Sequence, residues 1–230
     1  MFHLAVASVP VLAVGYYFYP RKKNYNSITI FQKQKGFINM IVENNSINLN
    51  TFSEFTSAYN LADKTKPIEI VVDTPGGAAA CAEAICNVLF DHVTSETHCV
   101  INNYAFSGGA YLALSCDKII MSKSAIMGPA DAQIVINNSS FPISSVIHSI
   151  EDKLHKNQPV KEIWYSAYLD SLKAMERQKL FFDKLRKKCL YSEEVYDKIY
   201  DEFFSGKYNH DQVFTVNDLI SMGLRIEIKK

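Results

Sequence analysis

Two glycine-rich turns hold the residues of this chain that are best suited to chemistry. The first, residues 71–77, reads VVDTPGG, and the second, residues 105–111, reads AFSGGAY with Ser107 at its centre. Each follows an apolar or β-branched run and precedes an alanine-rich stretch, which predicts strand, tight turn and helix twice over. A serine at such a turn is a candidate nucleophile. The free N–H groups of a glycine turn and a helix start are candidate donors to a negative oxygen.

Each turn alone also has an ordinary explanation, because Ser-Gly-Gly and Pro-Gly-Gly are common turn sequences. Both occur here in one order, and each lies between a predicted strand and a predicted helix. This arrangement favours a site at the carboxyl ends of two neighbouring strands.

The composition is that of one moderately sized α/β domain. The 230 residues are 48% hydrophobic, and 24 basic residues balance 24 acidic ones, which argues against a nucleic-acid partner. The five cysteines have no zinc-binding spacing, and we predict no metal and no cofactor. Four of them lie in apolar runs and are expected to be buried free thiols: Cys81, Cys86, Cys99 and Cys116.

The N-terminal segment has the features of a membrane anchor. Residues 2–19 contain no Asp, Glu, Lys or Arg, and the basic run 21–23 follows at once. A helix of that length spans about 27 Å, close to the bilayer core. We therefore expect residues 1–20 to form a single transmembrane helix, with the domain 21–230 facing the cytoplasm because basic flanks stay there. The alternative is a buried N-terminal helix of the core.

Periodicity and caps predict the elements around the two turns. Residues 25–31 and 37–42 are expected to form a hairpin, followed by a helix capped by Asn50. Further strands are predicted at 68–72, covered on both faces, and at 99–102, 117–121 and 224–228. Helices are predicted at 78–90, 109–114, 144–154 and 161–190, and after the caps Ser192 and Thr215.

Four motifs in order resemble one family. They are residues 73–77 (DTPGG), 104–109 (YAFSGG), 128–133 (GPADAQ) and 205–211 (SGKYNHD). They look like the Clp protease/crotonase fold, and within it the serine dehydrogenase proteinase family, membrane-anchored relatives of signal peptide peptidase A. The resemblance implies an α/β fold: a repeated ββα superhelix with C-terminal helices, preceded by one N-terminal transmembrane helix. It also implies a homo-oligomer.

The resemblance further implies a membrane-anchored serine endopeptidase acting on a peptide or protein substrate. Ser107 would be the nucleophile, and the N–H groups of Gly77 and Gly108 would form the oxyanion hole. Two other functions stay open. Residues 110–117 also resemble a helix of crotonase-like acyl-CoA enzymes, although these usually have glycine where Ser107 stands. The chain would alternatively be a non-catalytic scaffold of the same fold.

The base that would activate Ser107 is not evident from the family pattern. The histidine of Clp protease corresponds to a place occupied here by residues 126–129, IMGP. Signal peptide peptidases of this fold use a lysine, which implies a Ser-Lys dyad. Lys173 is our candidate, since burial at the edge of an apolar stripe would lower its pKa. That stripe is Trp164, Tyr168, Leu172 and Met175. His210 is the alternative, because it lies in one of the four stretches that resemble the family.

Overall fold

The computed structural model describes residues 27–31, 38–43 and 46–229. The predicted anchor, residues 1–20, lies outside these ranges. Within them, no helix is both long enough and apolar enough to cross a bilayer. The described chain forms a mixed α/β structure, an eight-stranded sheet flanked by helices plus a separate two-stranded hairpin.

The sheet is parallel except at its margins. β1 (Ser27–Phe31) and β2 (Ile38–Glu43) pair antiparallel, as the predicted hairpin requires. Parallel pairing then runs from β2 through the strands that continue the sheet. These are β3 (Ile68–Thr74), β4 (Thr97–Ala105), β5 (Lys118–Met121) and, at the far edge, the late strand Ile226–Ile228.

A short branch of the sheet forms at the carboxyl end of β4. β6 (Ile126–Met127) pairs in parallel with the last two residues of β4, so that Ala105 lies opposite Met127. On its other side β6 pairs antiparallel with a different strand, the two-residue strand Phe214–Thr215, in which Phe214 lies opposite Met127. The C-terminal third of the chain is thereby brought to the strand end that precedes the serine turn.

The expectation that β3 is covered on both faces is only half correct. Ile68, Ile70 and Val72 are fully buried, whereas Glu69 and Val71, which point to the other face, are half-buried. The alternation follows the period of a strand, and the acidic residue takes the more open face.

The helices follow the predicted order with small shifts. α1 (Leu49–Leu61) is capped by Asn48 and not by Asn50, because the Asn48 side chain accepts the N–H groups of Asn50 and Thr51. α2 (Ala79–Asp91) and α3 (Gly108–Ser115) follow the two glycine turns. Four more helices complete the set, with Ser192 and Thr215 as caps: α4 (Ile143–His155), α5 (Glu162–Lys187), α6 (Glu193–Ile199), extended by a π-helical turn Tyr200–Phe204, and α7 (Val216–Met222).

The buried face of α5 differs from the predicted stripe. Leu172 is 37% exposed, whereas two polar residues, Ser171 and Gln178, are buried. Gln178 tolerates burial because its Oε1 accepts the Ala132 N–H and its Nε2 donates to the Phe204 carbonyl. The positions of the apolar residues alone therefore do not predict which face of α5 is buried.

One hairpin was not predicted. β7 (Gln133–Ile136) and β8 (Ser139–Pro142) are antiparallel strands joined by Asn137 and Asn138, which both have positive φ. A two-residue Asn-Asn loop is a recognised hairpin signal, so the sequence did contain the information. The hairpin packs with α4 and α5 around a small second core.

Candidate active site

Ser107 occupies a strained corner between β4 and α3. Its backbone has φ 50° and ψ −118°, in the region that L-residues avoid, and it is the residue immediately before the first turn of α3. Ser107 is half-buried, and no hydrogen bond of its Oγ is found within the described ranges. A hydroxyl held at a strained strand-to-helix turn, without an internal partner, is free to meet a substrate.

The two glycine turns are in direct contact. A Cβ placed on Gly76 would lie 2.6 Å from Cβ of Ser107 and 2.9 Å from the Gly108 nitrogen. A Cβ placed on Gly108 would lie 3.6 Å from the Gly77 nitrogen. The predicted oxyanion donors, Gly77 and Gly108, are thus neighbours, on adjoining turns beside Ser107.

Both of these amides are free to bind an incoming oxygen. Ile47 donates to the Gly76 carbonyl at 2.7 Å, and its own carbonyl accepts the Ala78 N–H at 2.8 Å. These bonds use the residues on either side of Gly77, so the Gly77 N–H points away from Ile47. Among the residues that the structure describes, no acceptor takes the N–H of Gly77 or Gly108. The arrangement has the donor pattern of an oxyanion hole.

The motif at residues 128–133 lies against the serine turn. The Ser107 N–H donates to the Pro129 carbonyl at 3.0 Å, and the Gly128 N–H donates to the Ala105 carbonyl at 3.1 Å. Gly128 has to be glycine because a Cβ there would lie 2.0 Å from the Phe106 ring. The segment is fastened from behind as well, since the Ala130 N–H donates to the Phe203 carbonyl at 2.7 Å.

Asp131 and His210 form a pair next to this segment. Oδ1 of Asp131 lies 2.7 Å from Nδ1 of His210, and Oδ2 of Asp131 accepts a hydrogen bond from Gln133 at 2.6 Å. The Asp131 side chain is 3% exposed, whereas that of His210 is 31% exposed. The pair therefore has a buried carboxylate and an imidazole that reaches the surface.

Lys173 is far more exposed than the sequence led us to expect. Its side chain is 75% exposed, and Nζ lies 3.0 Å from Oδ1 of Asp170 on the same helix. The predicted burial of Lys173 is wrong, because α5 turns Ser171 and Gln178 toward the core instead. Within the described part of the chain, no contact of Lys173 with the serine turn is found.

Two further features define the surroundings of the site. The Tyr111 ring packs 4.3 Å from Phe181 and 5.3 Å from Phe204, centroid to centroid, which fixes α3 against the C-terminal helices; burial raises the pKa of its phenol. The pKa of Tyr104 is also raised, mainly by burial and to a smaller extent by the nearby Asp73 carboxylate. In the described ranges, no three His, Cys, Asp or Glu side chains converge to hold a metal ion.

Sequence patterns do not single out one residue of this arrangement. Asp131 lies in the motif at residues 128–133, but its residue type and spacing alone give it no role. The available signal was an acidic residue just behind a Gly-Pro turn, together with a histidine in another motif of the same family. Their contact depends on the branch of the sheet, which the sequence pattern does not specify.

A profile of the family described as ClpP-like SDH-type serine proteinase matches residues 19–229. Two uncharacterized proteins of Methanocaldococcus jannaschii are similar in sequence: MJ1495, 32% identical over 180 residues, and MJ0137, 29% identical over 208 residues. The alignments cover 78% and 90% of this chain. They span 59% of MJ1495 and 70% of MJ0137, so the chain corresponds to only part of these relatives.

Two solved structures share the fold. They are mutants of the 1510-N membrane-bound stomatin-specific protease, one of them in complex with a substrate peptide. The TM-scores are 0.52 and 0.53, with 16% sequence identity in both cases. The superpositions cover 84% of this chain and 77% and 74% of the two structures. At this identity the likeness concerns the fold, which is ClpP-like.

Proposed function

Because this chain belongs to the ClpP-like SDH-type serine proteinase family, we propose that it is a serine peptidase that hydrolyses a peptide or protein substrate. One observation carries the proposal. Ser107 lies in a strained turn, with a hydroxyl that has no partner in the described ranges, beside the unbonded N–H groups of Gly77 and Gly108.

The proposed reaction begins with attack of Ser107 Oγ on the peptide carbonyl carbon. The oxygen–carbon bond forms, the carbonyl π electrons move to the oxygen, and the hydroxyl proton passes to a base. The N–H groups of Gly77 and Gly108 would hold the resulting oxyanion, each stabilising the transition state by about 3 kcal/mol. Collapse of the intermediate breaks the carbon–nitrogen bond as the base gives that proton to the leaving amine. Water then attacks the acyl–Ser107 ester, which releases the carboxylic acid and restores the Ser107 hydroxyl.

A Ser-Lys dyad with Lys173 is one proposal for the base. The support for it is the lysine used by signal peptide peptidases of this fold. It would require the Lys173 amino group to leave Asp170 and to move from solvent to the serine turn. His210 is the other candidate; its Nδ1 lies 2.7 Å from Oδ1 of the buried Asp131, and its side chain is 31% exposed.

We test the function with the full-length chain and a fluorophosphonate probe, together with unfolded casein as substrate. The wild type is expected to be labelled and to cleave casein, and Ser107→Ala is expected to lose both. Ser149→Ala, an exposed serine of α4, is the matched control and should keep both. Equal labelling of the wild type and Ser107→Ala would reject Ser107. Absence of labelling and of cleavage in a folded wild type would favour the non-catalytic scaffold, and retention on a coenzyme A column would favour the acyl-CoA enzyme.

The membrane anchor is a second part of the proposal. The apolar run at residues 2–19 and the basic residues 21–23 support a single pass with the peptidase domain on the cytoplasmic side. Protease added outside intact cells should leave the domain uncut. Digestion of the domain would contradict the proposed orientation. Recovery of the full-length chain in the soluble fraction without detergent would reject the anchor.

The homo-oligomer is proposed from the family resemblance, and light scattering would test it.

A further inference from the structure

We infer that the edge of the sheet that carries the serine turn faces the membrane, and that the peptidase acts on juxtamembrane segments of membrane-inserted proteins. The inference rests on the proposed peptidase function and on the proposed anchor, and it adds the class of substrate to them. It depends on the place at which the chain enters the sheet.

The first strand begins at the same edge of the sheet as the serine turn. Ser27 lies opposite Glu43, and Glu43 lies opposite Asp73, so these three residues form one row across three strands. The next residue of β3 lies opposite Ala105, which comes two residues before Ser107. Because neighbouring strands are about 4.8 Å apart, Ser27 and Ala105 are separated by about 15 Å across the sheet.

The direction of β1 determines where the preceding chain joins the domain. β1 runs antiparallel to β2, whereas β3 and β4 run parallel to β2. β1 therefore leads from the active-site edge toward the opposite edge of the sheet. The chain before Ser27 joins the domain at the active-site edge.

The sequence between the proposed anchor and β1 is short. Seven residue steps lead from residue 20 to Ser27, and residues 21–23 are basic, which favours the headgroup region for the first of them. Fully extended, seven residues span at most about 25 Å. β4 alone, with nine residues, is about 30 Å long. If the opposite edge faced the bilayer, Ser27 would have to lie farther from the membrane than this linker can reach.

The surface beside the oxyanion amides is open at this edge. Gly77 and residues 78–80, which are all alanine, are exposed. α1 begins next to them, because the Ala78 N–H donates to the Ile47 carbonyl at 2.8 Å, and the first residue of the helix, Leu49, is 75% exposed. A peptide that comes from the membrane surface meets small side chains here and reaches the Gly77 N–H without passing around the domain.

The same lengths limit which peptide bonds come within reach. Ser107 lies beyond the row of Ser27 on the membrane side, so it is at most about 25 Å from the bilayer surface. An extended segment within about ten residues of a transmembrane helix covers that distance. A substrate anchored in the same bilayer also has a higher effective concentration at the site than a dissolved protein has.

Energy transfer to acceptor-labelled lipids tests the orientation without any need for activity. The full-length chain is reconstituted in vesicles with a donor dye at one of two positions. The first is position 49, in the variant Leu49→Cys with Cys189→Ser, beside the serine turn. The second is the native Cys189, which is exposed whereas the other four cysteines are buried. Cys189 follows Lys188, whose Nζ lies 2.7 Å from Oδ1 of Asp117, the residue before β5, and this marks the opposite edge.

The two dyes should report different heights above the membrane. Because the positions differ in height by about 30 Å, the transfer efficiency from position 49 should exceed that from position 189 by at least about twofold. Equal efficiencies, or a higher efficiency from position 189, would overturn the inferred orientation.

Two membrane-inserted reporters test the class of substrate. Each has an apolar helix of about 20 residues and one casein-derived segment on the same side of the bilayer as the domain. The segment follows the apolar helix directly in one reporter, and in the other it follows a stiff helical spacer of about 40 residues, which is about 60 Å long. We expect the enzyme to cleave the direct reporter at least about tenfold faster.

The same spacer inserted into the enzyme between Lys23 and Asn24 provides the matched control. It raises the active site by the length of the spacer, so it should reverse the preference between the two reporters. Cleavage of dissolved casein should be equal for the two forms of the enzyme. Equal cleavage of both reporters by the wild type would overturn the substrate class.

The failure of this inference differs from failure of the proposed function. A wild type that neither cleaves casein nor is labelled at Ser107 would overturn the peptidase and the substrate class, while energy transfer would still decide the orientation. Ser107-dependent casein cleavage together with equal transfer from both dyes would overturn the inference and leave the peptidase intact. Recovery of the full-length chain without detergent would overturn the anchor and the inference together.

Discussion

A Cβ placed on Gly76 would lie 2.6 Å from Cβ of Ser107 and 3.0 Å from the Phe106 carbonyl oxygen. The two glycine turns are therefore so close that only a residue without a side chain fits at Gly76. The backbone of Gly76 also requires glycine, because its positive φ of 105° is a conformation that residues with a side chain rarely adopt. The closeness of the turns is what places two free amides beside one hydroxyl.

Gly76→Ala should force the two turns apart. We expect the labelling rate of Ser107 to fall by about 100-fold, because displacements near 1 Å have such effects on a catalytic geometry. Gly108→Ala is the matched control: its nearest contacts are a flexible Ile47 methyl at 3.0 Å and Ala82 Cβ at 3.2 Å, and its N–H is retained. Its loss should be the smaller one, and the reverse order would contradict the contact between the turns.

Ser107→Gly should separate stability from activity. The positive φ of Ser107 costs about 1–3 kcal/mol, which glycine avoids, although glycine loses about 0.5–1 kcal/mol through greater freedom of the unfolded chain. Both Ser107→Gly and Ser107→Ala should be inactive, with the glycine variant about 1 kcal/mol more stable in urea unfolding. An alanine variant that equals or exceeds it would show that the turn is unstrained.

Lys188→Met should destabilise the fold in a pH-dependent way. Nζ of Lys188 lies 2.7 Å from Oδ1 of Asp117 and donates to the Ser115 carbonyl at 2.8 Å, and the Lys188 side chain is 15% exposed. Burial by itself raises the pKa of Asp117, but the hydrogen bonds and charge of Lys188 and the bonds from Thr97 lower it overall. We expect a loss of about 1–3 kcal/mol at neutral pH.

The sign of the pH dependence follows from that lowered pKa. A carboxyl group with a lower pKa in the folded state contributes stability above its unfolded pKa and loses it as the pH falls through the folded value. The difference between wild type and Lys188→Met should therefore shrink in acid. Lys187→Met, at an exposed neighbouring position, should change the free energy of unfolding by less than about 0.5 kcal/mol. A difference that grows toward acid would contradict the role of the pair.

The thiols should react in two classes. Four of the five cysteines are buried and Cys189 is exposed. Burial raises the pKa of both Cys86 and Cys99, which keeps them as unreactive thiols. Ellman's reagent should modify one thiol per native chain and five after denaturation, and Cys189→Ser should leave no fast reaction. Rapid modification of more than one native thiol would argue against the packing of α2, β4 and α3.

Local signals were sufficient for most elements of this chain and for its two glycine turns. Glycine pairs after apolar runs predicted both strand-to-helix turns, and Ser192 and Thr215 cap helices as their residue types indicate. Each of these features depends on residues within a few positions of one another, which is why the sequence alone reveals them. The four motifs in order identified the family for the same reason.

Contacts between distant segments were decided by the tertiary structure. Lys173 and Ser171 differ by two positions, yet one is exposed and the other buried, because each step along a helix turns the side chain by about 100°. The rotation of α5 depends on Gln178, whose amide binds two backbone groups from other segments. Asp131 and His210 are 79 positions apart and meet because β6 pairs with β4 on one side and with the strand at Phe214 on the other. No periodic pattern in the sequence predicts such a strand pairing, because the free energy that favours it comes from burial and hydrogen bonds between distant segments.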